Sequence, residues 1–397
     1  MEKYSLSFQQ EEMWIAEQFY STGSLFNIGG YCKLDAEINH QILEKAISIA
    51  LNSYSNFKAH ILVDDDGVPY QVFDDFVAFD YEFIDYLVDD KSAMDWMQKK
   101  MDSSLLSKEN KLIYVATIKT TQTQFYFLKI HHLLSDFFGV KIMLNKMMTV
   151  YQQLIENINP AIFTTQESDY RDYLIVQKEY INSITWLKDK EYWQRELNIK
   201  EKDLSLSSPI NNADFKSNVK YMVIDNFKKE RLTAIAKEHN VSDFVFWLYL
   251  VGVTFCEMDA SSCYYLGVHF LNRLNRKEKN NPGLFTNSLP IKISNSEFKK
   301  DIFDLSKRVR QAFRHQQFPI RKLSLSTDFY SVIVSFESYQ KSEDIYGYTL
   351  KSKESVCPIT FYIDNHQIQL VYHKSIGEEK INEVISSLWE TINRVIC

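Results

Sequence analysis

The segment His131-His132-Leu133-Leu134-Ser135-Asp136 holds the residue types best suited to moving a proton near neutral pH. Imidazole changes charge between pH 5 and 8 without help from its surroundings. Adjacent residues on a strand project to opposite faces. One of the two rings is therefore expected to face a cavity, and the other to be packed and hydrogen-bonded. A histidine followed four residues later by an aspartate, across a strand-to-loop turn, can put a base and an orienting carboxylate into one small site. A lone H-x-x-x-D pattern also occurs as ordinary structure. The doubled histidine at the end of an apolar run gives this one its weight.

Competing chemistries lack their signatures. The sequence has no G-x-S-x-G nucleophile turn, no phosphate-binding G-x-x-x-x-G-K, no G-x-G-x-x-G and no H-E-x-x-H. His131 and His132, pointing apart, cannot share a metal ion. His40, His60, His239, His366 and His373 are scattered and read as surface or satisfied core residues. Asp64-Asp65-Asp66 lacks the spaced ligands of a calcium loop and reads as a turn. Cys32, Cys256, Cys263, Cys357 and Cys397 are odd in number and show no C-x-x-C. That usage argues against a disulfide framework or structural zinc and fits a reducing cytoplasm. No metal is expected.

Specific elements must position the histidines. Phe125–Ile130 is apolar on nearly both faces, as a central sheet strand is, and runs straight into His131. A long amphipathic helix follows, with Val140, Met143, Leu144, Met147, Tyr151, Leu154 and Ile155 in register. Upstream, the pattern predicts a helix over 8–20 that Ser7 can cap, a helix over 39–54, and two strands at 57–63 and 68–73 joined by a tight turn. Residues 166–197 have helical spacing and read as a connector. Beyond it come helices near 228–238 and 244–256, the second capped by Ser242, then a strand at 264–270, a polar loop and a strand at 285–293. A helix over 301–314, strands at 331–336 and 367–372 and a helix over 379–395 follow. This is a mixed α/β pattern in two lobes, expected over residues 1–175 and 176–397.

The bulk composition excludes several classes. The chain has 397 residues, 45% of them hydrophobic, with only 10 Gly and 7 Pro, which suits a folded core rather than low-complexity sequence. Its formal net charge of -7 comes without a Lys/Arg block, so no nucleic-acid partner is expected. The Met1-Glu-Lys-Tyr-Ser-Leu start has no apolar signal region, and the Phe244–Cys256 run is too short for a membrane span.

In order along the chain, five segments resemble condensation domains of nonribosomal peptide synthesis. They are Ser7-Phe-Gln-Gln-Glu-Glu-Met-Trp14, His131-His132-x-x-x-Asp136, Tyr170-Arg-Asp-Tyr173 with Lys190-Glu-Tyr-Trp193, Gly267–Arg273 with Gly283-Leu-Phe-Thr-Asn-Ser-Leu-Pro290, and His315-Gln-Gln-Phe-Pro319. The resemblance implies two chloramphenicol-acetyltransferase-like lobes in a V with a tunnel between them, and a floor loop and latch in the second half. It implies an acyltransferase that joins a carrier-bound acyl thioester to an amine, with His132 catalytic. His131, Asp136 and Arg273 would then be structural, Asp136 pairing with Arg273. Phe137, Phe138, Asn287, Gln316 and Ser335 would line the tunnel. No cofactor is expected on the chain itself, because the substrate arrives on the phosphopantetheine arm of an acyl or peptidyl carrier protein. The acceptor is an amine, free or carrier-bound, and the enzyme is expected to be a monomer.

Two departures mark a divergent member. Phe137 stands where the family usually has glycine after the motif aspartate, and Ser53-Tyr-Ser-Asn-Phe-Lys58 replaces an Arg-His-Glu segment. Ester formation with an alcohol, or a degenerate domain that only recruits partners, are the alternatives. The chain opens on Met1 and closes where such a fold would close. With no adenylation or carrier segment attached, a free-standing enzyme and an excised domain both fit.

Overall fold

The structure is a computed structural model. It describes residues 2–19, 23–34, 38–77, 79–85, 88–105, 111–159, 169–197, 215–323, 329–336, 347–364 and 367–396. His366, Cys397 and residues 166–168 of the expected connector lie outside the described residues. In chain order the first part holds β1 (Tyr4–Ser5), α1 (Phe8–Phe19), β2 (Asn27–Leu34), α2 (His40–Asn52), β3 (Ala59–Val63), β4 (Pro69–Phe73), β5 (Asp80–Ile84), α3 (Asp90–Met101), β6 (Ile113–Lys119), β7 (Gln124–His131), α4 (Phe137–Ile155), α5 (Tyr170–Tyr180) and α6 (Ile184–Glu196). The second holds β8 (Ser217–Val223), α7 (Asn226–Glu238), α8 (Asp243–Met258), β9 (Cys263–Phe270), α9 (Arg276–Lys279), β10 (Asn287–Ser294), α10 (Phe298–Arg314), β11 (Val332–Phe336), β12 (Gly347–Thr349), β13 (Ile359–Ile363), β14 (Gln367–His373) and α11 (Glu378–Ile396).

The chain forms two compact units. The first comprises Met1–Ser183 together with Arg273–Thr286 and Ser342–Ser352. A contiguous division at 175 misses both returning segments. The reasons are physical: β12 adds to the edge of β2, and the 273–286 loop supplies the partners of a buried carboxylate described below. The first unit has a five-stranded sheet in the order β12-β2-β7-β6-β5 and a small β1-β4-β3 sheet. In β7, Phe125 through His131 are all buried, as expected for a central strand. Its one lysine, Lys129, ends among acceptors: Nζ donates to the carbonyls of Lys100 and Ser103, each at 2.7 Å, and so caps the end of α3. Burial, then the nearby Lys100, holds the Lys129 ammonium down to about 8.

The second unit comprises Ile184–Asn272, Asn287–Lys341 and Lys353–Cys397. Its six-stranded sheet runs β10-β9-β11-β13-β14-β8. Every residue of α8 from Val245 to Cys256 is buried, and Ser242 caps it by accepting from the Val245 N–H at 3.3 Å. No single described helix is long and apolar enough to cross a membrane. One boundary differs instructively from the sequence pattern. The expected strand at 285 starts at Asn287, because the N–H groups of Phe285 and Thr286 bond to a side chain instead of a neighbouring strand.

Candidate active site

His131 is the last residue of β7 and His132 the first of the turn beyond it. Their N–H groups go to the carbonyls of Leu112 (2.9 Å) and Phe26 (2.8 Å). His131 is the sealed ring: Nδ1 accepts the Leu133 N–H at 3.2 Å, and Nε2 lies 3.3 Å from Glu17 Oε1. His132 is half-buried. Its Nδ1 is inaccessible and has no full hydrogen bond among the described residues. That leaves Nε2 as the candidate nitrogen for proton exchange. Desolvation depresses the His132 pKa below the ordinary imidazole value, and the Asp136 charge opposes that shift without overcoming it. The carbonyls of His132 itself and Ser135 also favour a proton on the ring, though neither is placed well enough to bond Nδ1 outright.

The turn after His132 is held from several directions. Gln10 Nε2 donates to the Leu133 carbonyl at 2.9 Å, and Asn56 Nδ2 to that of Leu134 at 2.9 Å. Ser135 Oγ donates to the Pro282 carbonyl at 2.7 Å. Asp136 then caps α4, with Oδ1 accepting the Gly139 N–H at 2.8 Å.

Asp136 is the hub of a second network. Arg273 Nη2 reaches Oδ1 at 2.6 Å. The N–H groups of Phe285 (3.0 Å) and Thr286 (3.2 Å) and the Thr286 hydroxyl (3.1 Å) all donate to Oδ2. Both charged side chains are 1% exposed. A buried ion pair stands only when its remaining hydrogen-bonding groups are filled. Arg273 fills most of its own with the carbonyls of Glu278, Asn281 and Gly283. Its guanidinium lies between aromatic faces, 4.2 Å from the Phe285 ring centre and 5.0 Å from that of Phe138. Gly139 is obligatory here, because a Cβ would stand 2.2 Å from the Pro282 carbonyl oxygen. The glycine expected directly after Asp136 thus appears two positions later, where the 282–286 loop crosses the helix.

The remaining candidates fall in different places. Phe138 is engaged with Arg273. Phe137 is half-buried, with Lys351 Nζ 5.9 Å from its ring centre. In the second unit, Asn287 donates to the carbonyls of Gln316 (2.8 Å) and Phe318 (3.0 Å). Gln316 Oε1 accepts the Asn272 N–H at 3.0 Å, which leaves Nε2 buried without a partner among the described residues. Ser335 is half-buried on β11. The histidine of the His315-Gln316 pair bonds Asp189 through Nδ1 at 2.6 Å and stacks on Tyr192.

Sequence reasoning missed Gln10, Glu17 and Asn56. Gln10 had a readable signal. Ser7 and Gln10 form a reciprocal capping box, Ser7 Oγ taking the Gln10 N–H and Gln10 Oε1 the Ser7 N–H. Asn56 lies in the segment that departs from the family pattern, and Glu17 is one polar residue among many on α1.

The condensation-domain profile matches residues 1–395. The chain belongs to the condensation-domain family. Such domains are acyltransferases that form amide bonds in nonribosomal peptide synthetases. Among relatives, surfactin synthase subunit 1 of Bacillus subtilis is 23% identical over 86% of this chain, and the dimodular nonribosomal peptide synthase of the same organism 21% identical over 80%. The chain spans only 10% and 14% of those two proteins. Among solved structures, the starter condensation domain of rhizomide synthetase, crystallised with C8-CoA, superposes with a TM-score of 0.86 at 16% identity, covering 99% of this chain and 95% of that one. The first condensation domain of the CDA synthetase gives 0.83 at 16%, covering 100% and 96%. The fold is the mixed α/β, chloramphenicol-acetyltransferase-like one.

Proposed function

We propose that this condensation domain transfers an acyl group from a carrier-protein phosphopantetheine thioester to an amine, with Nε2 of His132 taking the proton of the attacking nitrogen. The amine nitrogen adds to the thioester carbonyl, and the proton it sheds passes to Nε2. Collapse of the tetrahedral intermediate breaks the C–S bond, and the same proton leaves with the thiolate. Amide and free thiol are the products, and the imidazole ends as it began.

The observation that carries this reading is a half-buried imidazole just past the end of β7, on a turn whose carbonyls are held by Gln10 and Asn56. Its depressed pKa keeps it neutral, hence basic, at pH 7. Placement of two reactants around a fixed group can itself supply roughly 7–11 kcal/mol of the barrier. Asp136 and Arg273 fix the base of α4 and take no part in proton transfer. The cytoplasm, where carrier proteins are loaded, is the proposed location, and the domain works as a monomer.

Intact-mass analysis tests the reading. The domain is incubated with acyl-loaded carrier proteins, and separately with acyl-CoA thioesters such as the similar starter domain holds, each against a panel of amines and alcohols. Acyl transfer to an amine, lost in His132→Ala while the circular-dichroism spectrum and melting temperature hold, is the expected result. Undiminished turnover by His132→Ala removes His132 from the mechanism. Transfer to alcohols alone replaces amide formation with ester formation.

A further inference from the structure

Glu17 and His131 form a buried pair that the proposed chemistry leaves unused, with side chains 1% and 0% exposed. We infer that Glu17 is a positioning residue: its carboxylate holds His131 as the Nε2–H tautomer, and His131 in turn shapes the turn that presents His132.

The tautomer follows from the donors around the ring. The Leu133 N–H points at His131 Nδ1 from 3.2 Å, so that nitrogen offers a lone pair and carries no proton. The ring's one proton therefore sits on Nε2, where Glu17 Oε1, 3.3 Å away, accepts it. An imidazolium would set two N–H donors against each other at Nδ1. With the tautomer fixed, the Leu133 residue is gripped twice, its N–H by His131 and its carbonyl by Gln10.

Gln10 and Glu17 both come from α1, and both are buried. Seven residues is two helical turns, which puts them on one face. One helix thus fixes the 131–134 turn at two points, directly through Gln10 and by way of the His131 ring through Glu17. His132 lies between these points, with its own N–H tied to Phe26. Without the carboxylate, the buried Nε2–H loses its acceptor, the other tautomer becomes competitive, and the Leu133 N–H is released.

The inference relies on the proposed acyl transfer for its rate measurement only, so the test has a second arm that needs no turnover. The intact domain is labelled with 15N-histidine, and long-range 1H–15N spectra are recorded for wild type, Glu17→Gln and Glu17→Leu, with His131→Asn to assign the signal. In wild type, His131 should show a protonated Nε2 and a bare Nδ1. Glu17→Gln keeps an acceptor oxygen and should keep that signature, with turnover within about three-fold of wild type. Glu17→Leu should show tautomer exchange at His131. Its kcat should fall on the order of ten- to a hundred-fold with KM little changed, because a misaimed base loses transition-state contacts before it loses binding. A wild-type imidazolium or Nδ1–H form at His131 overturns the inference even if neither variant folds. An unaltered His131 signature in folded Glu17→Leu, or unchanged kcat despite an altered one, overturns it as well. Wild-type protein inactive on every thioester defeats the acyl-transfer reading while the spectra still decide the tautomer.

Discussion

At His132 the balance of two opposing effects sets when the residue can act. Removal of water from around the ring destabilises the imidazolium, while the Asp136 carboxylate stabilises it, and desolvation is the larger effect. In the proposed mechanism only the neutral ring accepts a proton, so activity should be lost as pH falls through the His132 pKa. That pKa lies below the ordinary value, which puts the acid limb below about pH 6.5. With an acceptor amine that does not itself titrate in the range, kcat/KM should be flat from pH 7 to 8 and fall only on the acid side of the free imidazole midpoint. A midpoint above that value would contradict the desolvated environment. Asp136 is different: its carboxylate accepts from five donors. Asp136→Ala leaves the Arg273 guanidinium buried beside a hole and unpairs the Phe285 and Thr286 N–H groups. Breaking a buried ion pair from one side costs about 3–5 kcal/mol. Urea unfolding should show a loss of that size, and an unchanged midpoint would mean that the pair contributes nothing.

Among the elements, α4 shows how local preference yields to a tertiary contact. Glycine inside a helix costs up to about 1 kcal/mol relative to alanine, so Gly139→Ala would stabilise an isolated α4. In the folded domain the new methyl would meet the Pro282 carbonyl at 2.2 Å and Ser135 Oγ at 2.6 Å. The backbone of the 282–286 loop cannot yield as a side chain can, and overpacking of this kind costs about 1–3 kcal/mol. Gly139→Ala should therefore lower the melting temperature, whereas a rise would show that the loop has room to move. The same loop explains what sequence could and could not convey. The apolar run of β7, the stripe of α4 and the Ser242 cap are local patterns, and each appears at its expected place within a few residues. The buried pairing of Asp136 with Arg273 was legible because the order and types of these residues follow a family pattern. Glu17, Gln10 and Asn56 act on a turn 78 to 123 residues away in the chain, and no spacing rule reaches that far. Nor could local pattern tell that Phe285 and Thr286, β-prone by composition, would give their N–H groups to a carboxylate.

For the molecule as a whole, the consequence is that the unit bearing the histidines is not a contiguous stretch of chain. Residues 1–183 contain β7, α4 and both imidazoles, and by length they are enough for a domain. Four of the five donors to Asp136 nevertheless come from Arg273, Phe285 and Thr286, and β2 has β12 on its outer edge. The Tyr170 hydroxyl, too, ends on the Leu284 carbonyl at 2.9 Å, and its ring packs against Phe285. A fragment ending at Ser183 would keep the α2, β6, β7 and α4 core, but it would strip four of the five donors from Asp136, uncover the buried Tyr170 ring and expose the edge of β2. An unpaired sheet edge invites association, and loss of the buried contacts made by the 273–286 segment removes a share of the roughly 5–15 kcal/mol that stabilises a typical domain. The 1–183 fragment should therefore aggregate or melt without a sharp transition, whereas the full chain melts cooperatively. The same fragment extended by a short linker to residues 273–286 should recover part of that transition, because the added residues carry the missing donors. A cooperative melt of the bare fragment near that of the full chain would show that the returning loop is dispensable, and that the Asp136 network matters less than its burial suggests.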